Sequence, residues 1–242
     1  NRIRQIEISS EGGGGGDETW RRLEYLDLSN NELESLPRGA FNGTSLVSLR
    51  ELRLYSNRLR EVESAALASL VSLERLRVEH NRIGRIATHA FLNSSQLASL
   101  RLENQGVARV EASAFRALSR LTLLDLSKNN IQSLPDNDND QSSFVQDTPS
   151  LRTLNLSFNQ LTGHFVHLPS EQLVQLESVD LSNNRLAMLK SGTFGQLARL
   201  THLNLSANRL VTVEPYAFSN KHNNKSSSML VFLSLDSNRL EF

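Results

Sequence analysis

The sequence predicts an α/β solenoid in which each coil gives one short parallel strand to a concave face, with loops and short helical turns on the convex face. Three observations carry this. The frame LxxLxLxxNxL recurs nine times. A second apolar residue, usually phenylalanine, follows ten residues after most of the frame's asparagines. The asparagines are spaced 26, 24, 24, 24, 30, 25, 24 and 30 residues apart, room for one strand and its return.

The frame opens with Leu23, Leu26, Leu28, Asn31 and Leu33, and repeats with Leu49, Leu52, Leu54, Asn57 and Leu59. It recurs at Leu73–Ile83, Leu97–Val107, Leu121–Ile131, Leu151–Leu161, Leu176–Leu186, Leu200–Leu210 and Leu230–Leu240. Gln105 replaces the asparagine in the fourth repeat, and Asn1 with Ile3 matches the tail of one more. Residues 1–242 thus read as a single array of about nine repeats plus a partial N-terminal one.

The physics of each position is simple. In LxLx the side chains alternate, so the two leucines point into the coil and their neighbours point out. Strands of successive coils stack at about 4.8 Å. The asparagine turns the chain out of the strand, and its amide satisfies turn backbone groups that water cannot reach. Phe41, Leu67, Phe91, Phe115, Phe194 and Phe218 form the far wall of the core. Gln105 should fit its turn less well, with Gly106 relaxing the backbone beside it. The solenoid is right-handed by the general crossover rule.

Three insertions break the period and are read as loops: 11–22, 135–150 and 219–229. The first holds the flexible run Gly12 to Gly16. The second places Asp136, Asp138, Asp140 and Asp147 at positions 1, 3, 5 and 12 of a calcium-loop frame. Gln141 stands where that loop needs glycine, and its flanks are repeats instead of helices, so a solvated acidic loop is the better reading.

Composition excludes several classes. Lys+Arg and Asp+Glu both total 26, which removes a whole-chain case for nucleic acid or an anionic membrane surface. The absence of cysteine excludes disulfides, thiolate metal sites and a cysteine nucleophile. The six histidines form no metal set: His164 and His167 are close, but no spaced carboxylate completes them. Neither a phosphate-cradling loop nor a nucleophile elbow is present, so no enzyme, cofactor or metal site is expected.

The extended pattern from Leu23 to Phe41, Leu-Glu-Tyr-Leu-Asp-Leu-Ser-Asn-Asn-Glu-Leu-Glu-Ser-Leu-Pro-Arg-Gly-Ala-Phe, resembles the typical leucine-rich repeat of animal extracellular proteins. The whole chain is similar in this way to part of a Toll-type receptor ectodomain or a chaoptin-like cell-surface protein. The resemblance implies a right-handed leucine-rich repeat horseshoe that binds an extracellular protein ligand or co-receptor, with a homodimer allowed. It also implies a location at the cell surface, with the membrane anchor of the parent chain outside this stretch. An adhesion or matrix protein is the alternative, and a cytosolic scaffold the more distant one. Family ectodomains end in cysteine-rich caps; none is present, so the chain reads as a fragment of a longer array.

Five Asn-x-Ser/Thr sequons, at Asn42, Asn93, Asn155, Asn204 and Asn224, permit glycosylation in a secreted chain. Asn155 and Asn204 fall on the concave face, where a glycan would cover it.

The frame also reads out the binding face. Between the two strand leucines stand Asp27, Arg53, Arg77, Arg101, Asp125, Asn155, Asp180, Asn204 and Ser234. Two residues later stand Ser29, Tyr55, Glu79, Glu103, Ser127, Ser157, Ser182, Ser206 and Asp236. The second to fourth repeats differ from the rest: Arg53, Arg77 and Arg101 form one column, with Tyr55, Glu79 and Glu103 beside it and Glu51 and Arg75 on its other flank. Three arginines this close repel unless paired or occupied. Two readings follow, a self-neutralised charge ladder and a recognition patch of Arg and Tyr. Phe158, His202 and Phe232 are expected on the same face but in no single column.

Overall fold

The computed structural model describes residues 3, 20–37, 39–41, 46–63, 66–116, 118–134, 148–162, 173–195, 197–219 and 229–241. In chain order its strands are β1 (Tyr25–Asp27), β2 (Glu51–Arg53), β3 (Arg75–Arg77), β4 (Arg85–Ile86), β5 (Ser99–Arg101), β6 (Arg109–Val110) and β7 (Leu123–Asp125). They continue as β8 (Thr153–Asn155), β9 (Ser178–Asp180), β10 (Met188–Leu189), β11 (His202–Asn204), β12 (Thr212–Val213) and β13 (Phe232–Ser234). Nine of these form one parallel sheet in the order β1-β2-β3-β5-β7-β8-β9-β11-β13. Each frame of the sequence thus supplies one strand, centred on its second leucine or valine.

The register is strict. Leu26 pairs with Leu52, Leu52 with Leu76, and Leu76 with Leu100. The residue after each central one therefore lies in a single column across the sheet. The inward leucines and the phenylalanine wall make one continuous core from Leu33 to Ala217. Phe91 stacks on Phe115 at 6.0 Å between ring centres, and Phe194 on Phe218 at 6.1 Å. The wall named from the sequence is present in every coil where it is described.

An asparagine ladder seals the turns. Asn57 accepts the Leu33 N–H through Oδ1 at 3.0 Å and donates through Nδ2 to Leu28 O and Leu54 O at 2.9 and 3.0 Å. Asn81, Asn129, Asn159, Asn184, Asn208 and Asn238 repeat the pattern. The residue before each ladder position is left-handed, with φ from 52° at Ala207 to 57° at His80, although none is glycine. That conformation costs roughly 1 kcal/mol per residue. The buried amide bonds of the next side chain hold it in place in coil after coil.

Gln105 keeps part of this role. Its Oε1 lies 3.5 Å from the Ile83 N–H and its Nε2 donates to Val78 O, so it bonds back to the preceding coil. It makes no bond to Leu102 O or Glu103 O, the two carbonyls that an asparagine takes in its own turn; Leu102 O keeps the between-coil bond from Asn129 Nδ2 that each ladder asparagine makes. Gly106 is left-handed at φ 77°, as the sequence suggested.

The convex side carries little helix among the described residues. It runs as turns with two-residue parallel pairs, β4 with β6 and β10 with β12, and single bridges Leu36 to Val62 and Thr162 to Arg185. Returns of 24 residues leave no length for a full helix. Most of the three insertions, with the calcium-loop aspartates and Gly12 to Gly16, lies outside the described residues, as do His164 and His167.

A candidate ligand-binding face on the parallel sheet

The strand pairing places the predicted residues where the frame puts them. Asp27, Arg53, Arg77, Arg101 and Asp125 follow one another in register, as do Glu51, Arg75 and Ser99 on one flank. Beyond Asp125 the same column becomes Asn155, Asp180, Asn204 and Ser234.

Every arginine of the patch meets a carboxylate. Arg53 donates from Nε to Glu51 Oε1 at 2.7 Å and lies 3.9 Å from Asp27 Oδ2. Arg75 reaches Glu51 Oε2 at 3.6 Å, and Arg77 donates from Nε to Glu79 Oε1 at 2.8 Å. Arg101 is the loosest, 3.9 Å from Glu103 Oε2. The charge ladder is therefore largely neutralised within the chain, and the repulsion expected of bare arginines is absent.

The pairing does more than cancel charge. The Arg53 guanidinium sits 4.7 Å from the centre of the Tyr25 ring, and that of Arg77 sits 5.1 Å from the Tyr55 ring. Cation–π contacts of this kind contribute about 0.5–1 kcal/mol at exposed sites and fix the plane of the guanidinium. Tyr25 in turn donates from its hydroxyl to Asp27 Oδ2 at 2.9 Å. Tyr25 is absent from the sequence-derived patch. Its position before the central Leu26 was legible, but its diagonal contact with the next strand's arginine was not.

Burial is uneven. Arg75 keeps 58% of its side chain exposed, whereas Glu79 keeps 2%. Glu79 Oε2 is buried with no hydrogen-bond partner among the described residues. Glu103 lies beside it and its carboxyl is pushed up, first by burial and then by the carboxylates of Asp125 and Glu79. Asp27 is held low: burial pushes it up, but hydrogen bonds from Ser29 and Tyr25 and the charge of Arg53 outweigh that.

The far half of the sheet is different in kind. Asn155 donates to Asp125 Oδ2 at 3.2 Å and Asn204 to Asp180 Oδ2 at 3.3 Å. Serines at 157, 182 and 206 close back on the column through their own backbone N–H groups. His202 and Phe232 are register partners and stack at 6.2 Å, so two of the three aromatic residues expected on this face share a column. Phe158 stands apart at a left-handed turn position. Among the sequons, Asn93 is exposed in a turn, Asn155 and Asn204 are half-buried, and Asn42 and Asn224 lie outside the described residues. Among the described residues no three His, Cys, Asp or Glu side chains are placed to hold a metal ion. No helix of the described residues is long and apolar enough to cross a membrane.

The repeat frame, the single sheet and the asparagine ladder coincide with a family model described as leucine rich repeat, which matches residues 21–94, 95–161 and 174–240. The chain belongs to the leucine-rich repeat family. It is 40% identical over 90 residues to the rat leucine-rich repeat-containing G-protein coupled receptor 5, which covers 37% of this chain and 9% of the receptor. It is 29% identical over 199 residues to chicken Tsukushi, 82% of this chain and 38% of that protein. Among solved structures it is similar to TLR13 in a TLR13–ssRNA13 complex, with a TM-score of 0.79 and 29% identity, over 91% of this chain and 29% of that one. The chain thus spans well under half the length of each of these relatives. The resemblance to animal extracellular repeats of the Toll type is borne out. The leucine-rich repeat domain described here is an interaction scaffold related to these proteins.

Proposed function

We propose that this chain is the protein-binding repeat domain of a cell-surface receptor of the Toll-like type, recognising an extracellular protein ligand through the patch of Glu51, Arg53, Tyr55, Arg75, Arg77, Glu79, Arg101 and Glu103. The observation that carries this is the stacked Tyr–Arg–Glu array: Arg77 is held at once by the Tyr55 ring and by Glu79. Side chains ordered before binding lose less entropy on contact, and Arg and Tyr dominate binding hot spots. In the remaining repeats the column itself holds small polar residues that bond to their own turns, and the exposed aromatics Phe158 and Phe232 carry no paired arginine among the described residues. The reading assigns the chain no catalytic role. It places it outside the cell, in keeping with the receptor among its relatives and with the five sequons.

The test is the double substitution Arg77→Glu with Arg101→Glu in the full-length protein on its own cells. Cross-linking with mass spectrometry should recover a protein ligand with the native chain and lose it with the double variant, while the thermal midpoint stays within a few degrees. Recovery of the same ligand at unchanged yield would remove the patch from consideration.

A further inference from the structure

A second charged feature lies off the sheet. The residue after each ladder asparagine starts the chain's return, and in the last three coils it is Arg185, Arg209 and Arg239. They hold the same position of the repeat, and backbone bonds tie each to the coil before it: the Arg185 N–H donates to Leu161 O, Arg209 N–H to Leu186 O and Arg239 N–H to Leu210 O, each at 2.9 Å and one residue past the equivalent position. Adjacent arginines therefore stand one coil apart, as do the equivalent residues of earlier coils, where Gln160 meets Asn130 and Arg58 meets Glu32. Below them the ladder bonds of Asn184, Asn208 and Asn238 make the support rigid.

All three are exposed, and none has an ion pair or a side-chain hydrogen bond among the described residues. This sets them apart from the arginines of the sheet and from Arg50, Arg58, Arg85 and Arg152, which face Glu74, Glu32, Glu111 and Glu177 at 2.7–3.5 Å. The stripe begins at Arg185, because the two preceding positions hold Asn130 and Gln160, bonded to each other at 3.2 Å. Its flanks are Asn183, Ala207 and Ser237 on one side and Ala187, Val211 and Glu241 on the other, so Arg185 and Arg209 have no acidic neighbour in either column. Three guanidiniums in a line, none of them in an ion pair among the described residues, repel one another and favour an anion with charges repeated along its length.

We propose that Arg185, Arg209 and Arg239 form a docking stripe for a sulfated glycan chain. The chemistry selects among polyanions. The flanking columns hold no aromatic ring on which bases could stack, which single-stranded nucleic acid uses. The backbone N–H groups are spent on the neighbouring coil, so an acidic peptide gains no strand pairing here. A sulfated glycan needs neither a pocket nor a strand edge. It offers closely spaced oxyanions to the planar forks of the arginines. The stripe lies outside the sheet patch, so the proposal stands or falls independently of the protein-binding reading.

The experiment titrates the chain with a heparin octasaccharide by calorimetry at two salt concentrations. The native chain should bind it and should not bind the desulfated octasaccharide. The triple variant R185Q/R209Q/R239Q should bind at least tenfold more weakly, with the slope of log affinity against log salt reduced by roughly 2–3, about one per lost contact. R185K/R209K/R239K keeps the charges without the forks and should bind between the native chain and the glutamine triple. R50Q/R85Q/R152Q removes the same charge from paired arginines and should change affinity less than threefold. Failure of the native chain to bind, equal loss in both glutamine triples, or tighter stripe-dependent binding of oligouridylate or a polyglutamate peptide would each overturn the proposal.

Discussion

Asn129 accepts the backbone N–H of Val107, one coil earlier, through its Oδ1 at 3.0 Å. The same oxygen takes the Gln105 N–H at 3.0 Å, while Nδ2 donates to Leu102 O, Leu126 O and Ser127 O. Asn129→Ala strands the Val107 and Gln105 N–H groups and Leu102 O in a dry turn, while Leu126 O keeps Asn159 Nδ2 and Ser127 O keeps the Asn104 N–H. The expected cost is about 3 kcal/mol or more, because an unsatisfied buried group costs about 1–3 kcal/mol. Since each coil touches only its neighbours, the damage should also split the unfolding transition. Urea denaturation followed by circular dichroism would show both a lower midpoint and a shallower slope. A midpoint unchanged within error would refute the ladder's role.

Gln105 offers the reverse experiment. It bonds to the preceding coil but makes neither of the two bonds of its own turn, so Leu102 O keeps only the amide of Asn129 and Glu103 O only the backbone N–H of His80. Gln105→Asn should restore those contacts and stabilise the array by about 1 kcal/mol, the net worth of a typical hydrogen bond. Thermal denaturation of the two chains side by side would decide it; a lower midpoint for the variant would mean that the local backbone has adapted to glutamine.

The far wall carries comparable energy. Phe115 is fully buried and stacks on Phe91 with 6° between ring planes. Phe115→Ala should cost about 3–5 kcal/mol, and Phe115→Leu distinctly less, because leucine fills most of the volume. Paired urea curves for the two variants test this order.

Much of this was legible in the residues alone. The leucine alternation fixed the sheet, its register and thereby the columns of Arg53, Arg77 and Arg101, because a period of two leaves each position only one face. The asparagine's place in the frame announced the buried ladder. What escaped depends on side-chain direction between coils. Tyr25 reaches the arginine of the next strand diagonally, and His202 meets Phe232 directly across, neither of which shows in a single repeat. The stripe of Arg185, Arg209 and Arg239 was visible as a column but not as an unpaired one, because pairing is a property of the neighbours' conformations.

Glycan occupancy connects the fold to the proposed binding face. Asn155 and Asn204 commit Nδ2, the atom that would carry a sugar, to Asp125 and Asp180. Asn93 is exposed and stands in a turn with φ 70°. Peptide mapping of the protein from its own cells should find sugar at Asn93 and unmodified side chains at Asn155 and Asn204. Occupancy at either sheet sequon would show that the far half of the concave face is covered.

Glu103 gives the patch a pH dependence whose sign is fixed. Burial and the nearby carboxylates of Asp125 and Glu79 raise its pKa above the ordinary value of 4.5, against the opposing pull of Arg101. A raised acid binds its proton more tightly in the folded chain than in the unfolded one. Its contribution is fully present below pH 4.5 and is lost as pH rises through the folded value. Above its folded value Glu103 is an ionised group among other carboxylates, and its ionisation opposes folding there. Glu103→Gln removes the titration while its amide can still donate to Asp125. The variant should match the native chain near pH 4 and exceed it in stability at pH 7–8. Thermal midpoints measured across that range should diverge only as pH rises; a variant that is less stable at neutral pH would show that the Arg101 pair outweighs the carboxylate repulsion.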